Sequence, residues 1–295
     1  MHIWKVASAE SGMTLNAFLK LKLGDAYSAK QLKHAIERNL CRINQRVERF
    51  ASTRVANGDQ IEWDNDKLQF LFASSQLKFE AKRIIYEDAD LLVYDKPAGI
   101  NCDTSGIVRL IHQKDPSLKL VHRLDRDTTG ILLFAKTDAV LHKMIRLFKT
   151  FKVKKTYYVI VDGAISKEKG VIDNNLAPLH KYQGQTVWGQ ATGSKGVHAR
   201  TGWRKEKKGQ DCTLIQCYPV TGITHQIRVH MSEMGHPILG DYQYGRRFIC
   251  SYQPSRYLLH AYEITFPHPS SEKEIRLKAP LPSDFKQALD HLRLI

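Results

Sequence analysis

Apolar residues in the first sixty positions recur first at helical and then at strand spacing. Leu15, Phe18, Leu19 and Leu23 share one helical face. Ser28-Ala29-Lys30-Gln31 is a capping box, in which hydroxyl and amide satisfy the first free N–H groups of a second helix. Leu32, Ala35 and Ile36 then share a face of that helix. Cys41-Arg42-Ile43 and Val47-Glu48-Arg49 alternate around Asn44-Gln45-Arg46, which predicts a hairpin. Asn57-Gly58-Asp59 turns the chain into a strand-like Gln60-Ile61-Glu62-Trp63.

The pattern changes after that. Residues 65 to 79 carry no period and are expected to form a linker. From Ile84-Ile85-Tyr86 onward, strand-like runs and turns dominate: Leu91 to Tyr94, Ile131 to Ala135, Tyr157 to Val161, Cys212 to Tyr218 and Tyr262 to Phe266. Asp95-Lys96-Pro97-Ala98-Gly99 reads as a turn. One helix is expected from Thr137-Asp138 through Leu141, Met144, Ile145 and Phe148. Strands that are not regularly interleaved with helices predict an α+β fold with a mixed, mainly antiparallel sheet. The expected organisation is a small helical and hairpin domain over 1–64, a linker over 65–79, and a larger domain over 80–295.

Charge sharpens this picture. Forty-five Lys and Arg against thirty Asp and Glu leave a net +15, a surplus that favours a polyanionic partner. No apolar run approaches the roughly 18–20 residues of a membrane span, and the first residues lack the apolar core of a secretory signal. Nucleic acid is therefore the expected partner and the cytoplasm the expected compartment. Cys41, Cys102, Cys212, Cys217 and Cys250 are scattered and odd in number, so neither a disulfide framework nor a metal knuckle is expected. Within the first domain the second helix and the hairpin carry a run of positive charge, in Lys30, Lys33, Arg38, Arg42, Arg46 and Arg49, as a phosphate-facing surface would. Residues 13 to 63 resemble the small RNA-binding domain named after ribosomal small-subunit protein four. The likeness rests on a Thr-Leu-x-x-Phe-Leu helix, a Ser-x-x-x-Leu-Lys-x-x-Ile helix, an Arg-Ile-Asn turn and a closing Gly-Asp-x-Ile.

Three polar constellations interrupt the second domain: His122 to Gly130, Lys154 to Gly163, and Thr221 to His230 continuing to Asp241. Taken singly, each has an ordinary structural explanation as turn, packing or a snorkelling arginine. Together they resemble the RluA-type pseudouridine synthases from about Tyr86 to Pro282. His122-Arg123-Leu124-Asp125 to Gly130 matches the His-Arg-Leu-Asp-x-x-Thr-Ser-Gly signature, with Thr129 for serine. Lys155-Thr156-Tyr157 matches its Lys-x-Tyr strand, and Thr221 to His230 its Thr-Gly-Arg-Thr-His-Gln-Ile-Arg-Val-His stretch, with Ile223 for the first arginine. Asp95 to Gly99 stands for Asn-Lys-Pro-Ala-Gly.

The resemblance implies isomerisation of uridine, with Asp125 as the essential carboxylate, Tyr157 packed against the base and assisting removal of the proton from its carbon five, and Arg228 beside the carboxylate. It implies substrate contacts from His122, Arg123, Thr128, Lys96, Lys155 and Gln226. The reaction has no redox change and no group transfer, so neither cofactor nor metal is expected. Ribosomal RNA of the large subunit is the preferred substrate, transfer RNA the second, and a monomer the expected state. Two rivals exist. Asp125-x-Asp127-x-Thr129 also fits an aspartyl-phosphatase pattern with Asp241 as distant metal carboxylate, but His122 and Arg123 break the apolar strand that such a site requires before its first aspartate. A non-catalytic RNA-binding assembly factor is the other, opposed by the presence of Asp125, Tyr157 and Arg228 together.

Overall fold

The structure, a computed structural model, describes residues 1–37, 39–64, 78–182, 185–191, 196–245 and 247–294. Arg38 and most of the expected linker, 65–77, therefore lie outside the described residues. The chain divides into two compact units, Met1–Leu77 with Tyr182–Gln185, and Lys78–Lys181 with Thr186–Ile295.

In the first unit, strands β1 (His2–Lys5), β2 (Cys41–Ile43), β3 (Arg46–Glu48) and β4 (Gln60–Trp63) form an antiparallel sheet in the order β1-β4-β2-β3. Helices α1 (Leu15–Leu23) and α2 (Ala29–Ile36) bury Phe18, Leu19, Leu32 and Ile36 against Ile61 and Trp63 of that sheet. The second helix is capped as the sequence predicts, and the first carries a threonine cap as well. Thr14 Oγ1 accepts from Ala17 N at 3.2 Å, and Ser28 and Gln31 exchange hydrogen bonds of 2.8 and 3.3 Å. Asn44 and Gln45 both take positive φ, 51° and 65°, the hand that a two-residue hairpin turn requires.

In the second unit, eleven described strands form one sheet. They are β5 (Ile84–Glu87), β6 (Leu91–Lys96), β7 (Lys119–Leu120), β8 (Thr129–Ala135), β9 (Lys154–Asp162), β10 (Lys169–Tyr182), β11 (Gln185–Gln190), β12 (Val197–Lys208), β13 (Cys212–Pro219), β14 (Leu259–Pro267) and β15 (Glu274–Lys278). The path runs β11-β10-β12-β13-β9-β14-β8-β6-β5, with β15 beside β14 and β7 beside β8. Among the described pairings, β14 and β8 run in parallel and the others are antiparallel.

Strand β8 is buried along its whole length because both faces of the sheet are covered there. Leu132 and Phe134 pack with Ile107, Leu110 and Ile111 of α3 (Ile107–Ile111). Ile131, Leu133 and Ala135 pack on the other face with Val140 and Met144 of α4 (Asp138–Lys149). Beyond β9, the alternation continues: Val159 and Val161 meet Ile227 and Met231 of α5 (Gln226–Glu233). Ile160 faces the opposite side, with Phe285, Ala288 and Leu289 of α6 (Ser283–His291).

Three local features that the sequence reading misplaced or left unassigned bear on the site. Asp95 and Lys96 end β6, so the turn begins only at Pro97. The stretch holding Arg228 is helical, which places Ile227 and Met231 in the core on one side. The segments Lys169–Tyr182, Gln185–Gln190 and Val197–Lys208, which carry no clear strand signal in the sequence, form β10, β11 and β12. In β12 the buried alternate positions are Ala199, Thr201 and Trp203, of which the first two are too small or too polar for an apolar period to show.

Candidate active site

A signature aspartate in a turn needs its backbone fixed, and two buried cations do this. Lys96 is fully buried, and its ammonium donates to the carbonyls of Pro97 (3.1 Å), Arg126 (2.8 Å) and Thr128 (2.9 Å). Arg256, also buried, donates from Nη1 to the carbonyl of Asp127 at 3.0 Å while Asp284 accepts from its Nε at 2.6 Å. The backbone of Thr128 closes the turn by donating to the carbonyl of Asp125 at 3.1 Å. Gly130 completes the arrangement. Its φ is +105°, and a Cβ there would lie 2.2 Å from the carbonyl oxygen of Ala261, its parallel partner on β14. Without glycine the β8–β14 pairing, and with it the Asp125 turn, would be pushed apart.

The Asp125 side chain opens into a cavity of about 300 Å³. His122, Arg123, Thr128, Lys155, Tyr157, Gln226 and Arg228 all line it, so the three constellations meet in one place. Leu124, Phe148, Ile223, Ile227 and Leu259 supply an apolar wall. Lys96 does not line it. Its three ammonium protons are used on backbone carbonyls, so the expected substrate contact is corrected to support of the Asp125 turn. Burial lowers its pKa to about 8.

Arg228 reaches from α5 to within 3.5 Å of the Asp125 carboxylate, Nη1 to Oδ2. The rest of its guanidinium is held by Asp241, which accepts from Nε at 2.6 Å and from Nη2 at 2.9 Å, and by Gln243 at 2.8 Å. The rings of Tyr257 and Tyr244 cover it at 4.4 and 4.9 Å from their centroids. Burial opposes its charge, yet the Asp241 carboxylate, Tyr257 and Asp125 keep its pKa well above the ordinary arginine value. Gly240, with φ +83°, precedes Asp241 and would carry a Cβ 2.3 Å from the carbonyl of Arg256.

The remaining side chains divide between cavity and support. Burial, and then the Asp125 charge, push the Tyr157 phenol up, so it is a neutral ring at physiological pH. Lys155 donates to the carbonyl of Thr221 at 3.1 Å, and burial lowers its pKa to about 8. The His122 ring stacks on Phe148 at 5.0 Å, and its Nε2 accepts from Leu133 N at 3.3 Å. Burial and then Lys155 push its pKa down to about 3, which makes it a neutral support. Gln226 Oε1 accepts from the Thr221 hydroxyl (2.7 Å) and Ile223 N (3.0 Å), so it braces the loop ahead of α5. Arg123 is exposed at the cavity mouth.

Sequence reasoning missed Arg256, Asp284, Gln243, Tyr244 and Tyr257. A signal existed for part of this: an arginine among apolar residues, once buried, requires a counter-charge, and Gly240-Asp241 lies close downstream. One group of potential metal ligands converges among the described residues, Asp211, Cys212 and Cys250; none of them lines the cavity.

In the first unit Lys30, Lys33 and Arg46 are exposed. Arg42 and Arg49 are half-buried and engaged, Arg42 with Glu62 at 3.5 Å and Arg49 with the carbonyl of Glu37 at 3.3 Å. The basic surface is therefore narrower than the sequence suggests.

Comparison with known proteins agrees with this geometry. Residues 90–233 match the family of RNA pseudouridylate synthases. The ribosomal large subunit pseudouridine synthase C of Vibrio cholerae is 38% identical over 222 residues, 71% of this chain and 69% of that protein. The synthase D of Haemophilus influenzae is 29% identical over 316 residues, 98% of this chain and 94% of that one. The solved structure of human RNA Pseudouridylate Synthase Domain Containing 4 superposes with a TM-score of 0.61 at 25% identity, covering 76% of this chain and 98% of its own. With Asp125, Tyr157 and Arg228 gathered at one cavity and with relatives of this kind, the chain belongs to the RluA-type RNA pseudouridylate synthases, isomerases of uridine in RNA.

Proposed function

We propose that this protein makes pseudouridine in large-subunit ribosomal RNA, acting as a cytoplasmic monomer, and that Asp125, Tyr157 and Arg228 do the chemistry. The observation that carries this reading is the Asp125 carboxylate, 3.5 Å from a buried arginine and open to a half-apolar cavity. The reaction breaks the C1′–N1 bond, turns the base and forms C1′–C5, while a proton leaves C5 and one is taken up at N1. A base must leave its stack to reach such a cavity. Tyr157 and the apolar wall pack against the uracil ring. The neutral phenol makes Tyr157 a packing and donor group, and a proton-accepting role would require a phenolate that burial and Asp125 both oppose. Asp125 either attacks the sugar or removes a sugar proton, and both routes need its charge. The relatives named as large-subunit synthases support the choice of RNA.

The test is a transcript labelled with tritium at carbon five, together with pseudouridine maps of total RNA from cells with and without the protein. Tritium release and a missing large-subunit site are expected. No release sinks the reading, and a lost transfer-RNA site moves the substrate.

In the same proposal, the first unit holds structured RNA through Lys30, Lys33 and Arg46 on a surface of the S4-like kind. RNA affinity should fall with salt, and replacing the three by Ala should reduce the log–log slope by about 0.7–0.9 for each phosphate no longer neutralised. An unchanged slope removes this unit from the interface.

Lys155, with a pKa of about 8, contributes a positive charge to the cavity only below that pH. RNA affinity of the wild type should therefore weaken between pH 7 and 9, while Lys155→Met should be weaker at pH 7 and fall less over the window, the remaining fall belonging to Lys96. Identical profiles in filter-binding assays would show that Lys155 meets no phosphate.

A further inference from the structure

Edge strand β11 reaches the site through two neighbouring side chains. The carbonyl of Thr186 accepts from Gln243 Nε2 at 3.2 Å, and Gln243 in turn holds Arg228. Two residues on, Trp188 N donates to the Tyr244 hydroxyl oxygen at 3.1 Å, and that hydroxyl lies 2.7 Å from His225 Nδ1. His225 lines the cavity, and its Nε2 faces Asp125 Oδ2 at 3.9 Å. His225 sits in the left-handed region, φ 59° and ψ 13°, at the start of α5. A non-glycine residue in that region is worth a functional question.

The donors and acceptors in this chain favour one tautomer. The Tyr244 oxygen already accepts from Trp188, which favours donation of its own hydrogen to Nδ1, 2.7 Å away. Burial lifts the Tyr244 phenol to about 12, so that hydrogen is present throughout the neutral range. A neutral imidazole that accepts at Nδ1 carries its proton on Nε2. That is the atom aimed at Asp125.

We propose that His225 is a positioning residue for Asp125, held by Tyr244 in the tautomer that presents Nε2–H to the carboxylate. The separation is roughly 1 Å longer than an N–H···O hydrogen bond, a gap that active sites commonly close when substrate enters. Arg228 and His225 both approach the carboxylate at Oδ2. Oδ1 is then the oxygen turned to the sugar. Two donors on one oxygen fix the rotation of the carboxylate, which a single arginine does not.

This inference rests on the isomerase reading, and its first test needs no substrate. In enzyme labelled with ¹⁵N-histidine, the resonances of His225, assigned by their loss in His225→Gln, should report Nδ1 unprotonated and Nε2 protonated at pH 8. Tyr244→Phe keeps the ring over Arg228 and removes the hydroxyl, and it should mix the two tautomers. In single turnover at saturating RNA it should slow isomerisation roughly tenfold, the equivalent of one hydrogen bond to a charged group, with RNA affinity little changed.

A second pair of variants separates the two nitrogens. The amide of Gln stands near Nε2 and that of Asn near Nδ1, so His225→Gln should keep more of the rate than His225→Asn, although Asn tolerates the left-handed backbone better. A proton on Nδ1 in the wild type, or an Asn variant as fast as Gln, overturns the proposal. A wild type that makes no pseudouridine would instead overturn the isomerase reading and leave the tautomer measurement standing.

Discussion

Asp125→Asn is expected to leave a folded protein that binds RNA and makes no pseudouridine. Asn has nearly the shape of Asp, and the turn that carries it is held by Lys96, Arg256 and the Thr128 backbone, none of which uses the Asp125 side chain. The change removes only the charge. Both chemical routes require it, so the single-turnover rate should fall at least about 10³-fold, as when an essential nucleophile or base is removed. Asp127→Asn serves as the contrast. Asp127 is buried outside the cavity with Arg126 Nη2 3.4 Å away, so its replacement should affect melting temperature more than rate. Equal loss of rate from the two, or activity abolished by a chelator, would point to the metal-dependent phosphatase arrangement instead.

Arg228→Met should lose both activity and stability. Asp241 is fully buried, and the substitution takes away the guanidinium to which it makes two hydrogen bonds. Breaking a buried pair by removing one partner costs about 3–5 kcal/mol, which urea titration would read directly. Arg228→Lys separates the two losses. An ammonium can restore charge beside Asp241 but cannot span Asp241, Gln243 and Asp125 at once. Stability should therefore recover in part while the rate stays low. Full recovery of rate in the lysine variant would show that charge alone is needed at this position and that the fork geometry is irrelevant.

Much of the fold is written in local pattern. The helix faces of Leu15 and Phe18 and of Leu32 and Ile36, the Ser28 capping box and the Asn44 turn all depend on neighbours within a few residues. The apolar run from Ile131 to Ala135 reads as a strand because both its faces are covered. Strands β10 to β12 left little trace, since Ala199 and Thr201 fill buried positions there without hydrophobic contrast.

The candidate site divides in the same way. The sequence by itself determined which residue types were available: an aspartate between arginines, a tyrosine behind a lysine, an arginine among apolar residues, and a surplus of positive charge. Each is a property of a short stretch and survives without knowledge of what lies opposite. Only the tertiary structure decided their roles. Residues from β6, the Asp125 turn, β9 and α5 meet through sheet pairings that join positions more than a hundred apart, such as Thr129 with His260. It was folding that turned Lys96 inward to backbone carbonyls, tied Arg228 to Asp241, and put His225 between Tyr244 and Asp125. A side chain's partner depends on which strand lies alongside and on what burial removes from water, and neither is a local property of the chain.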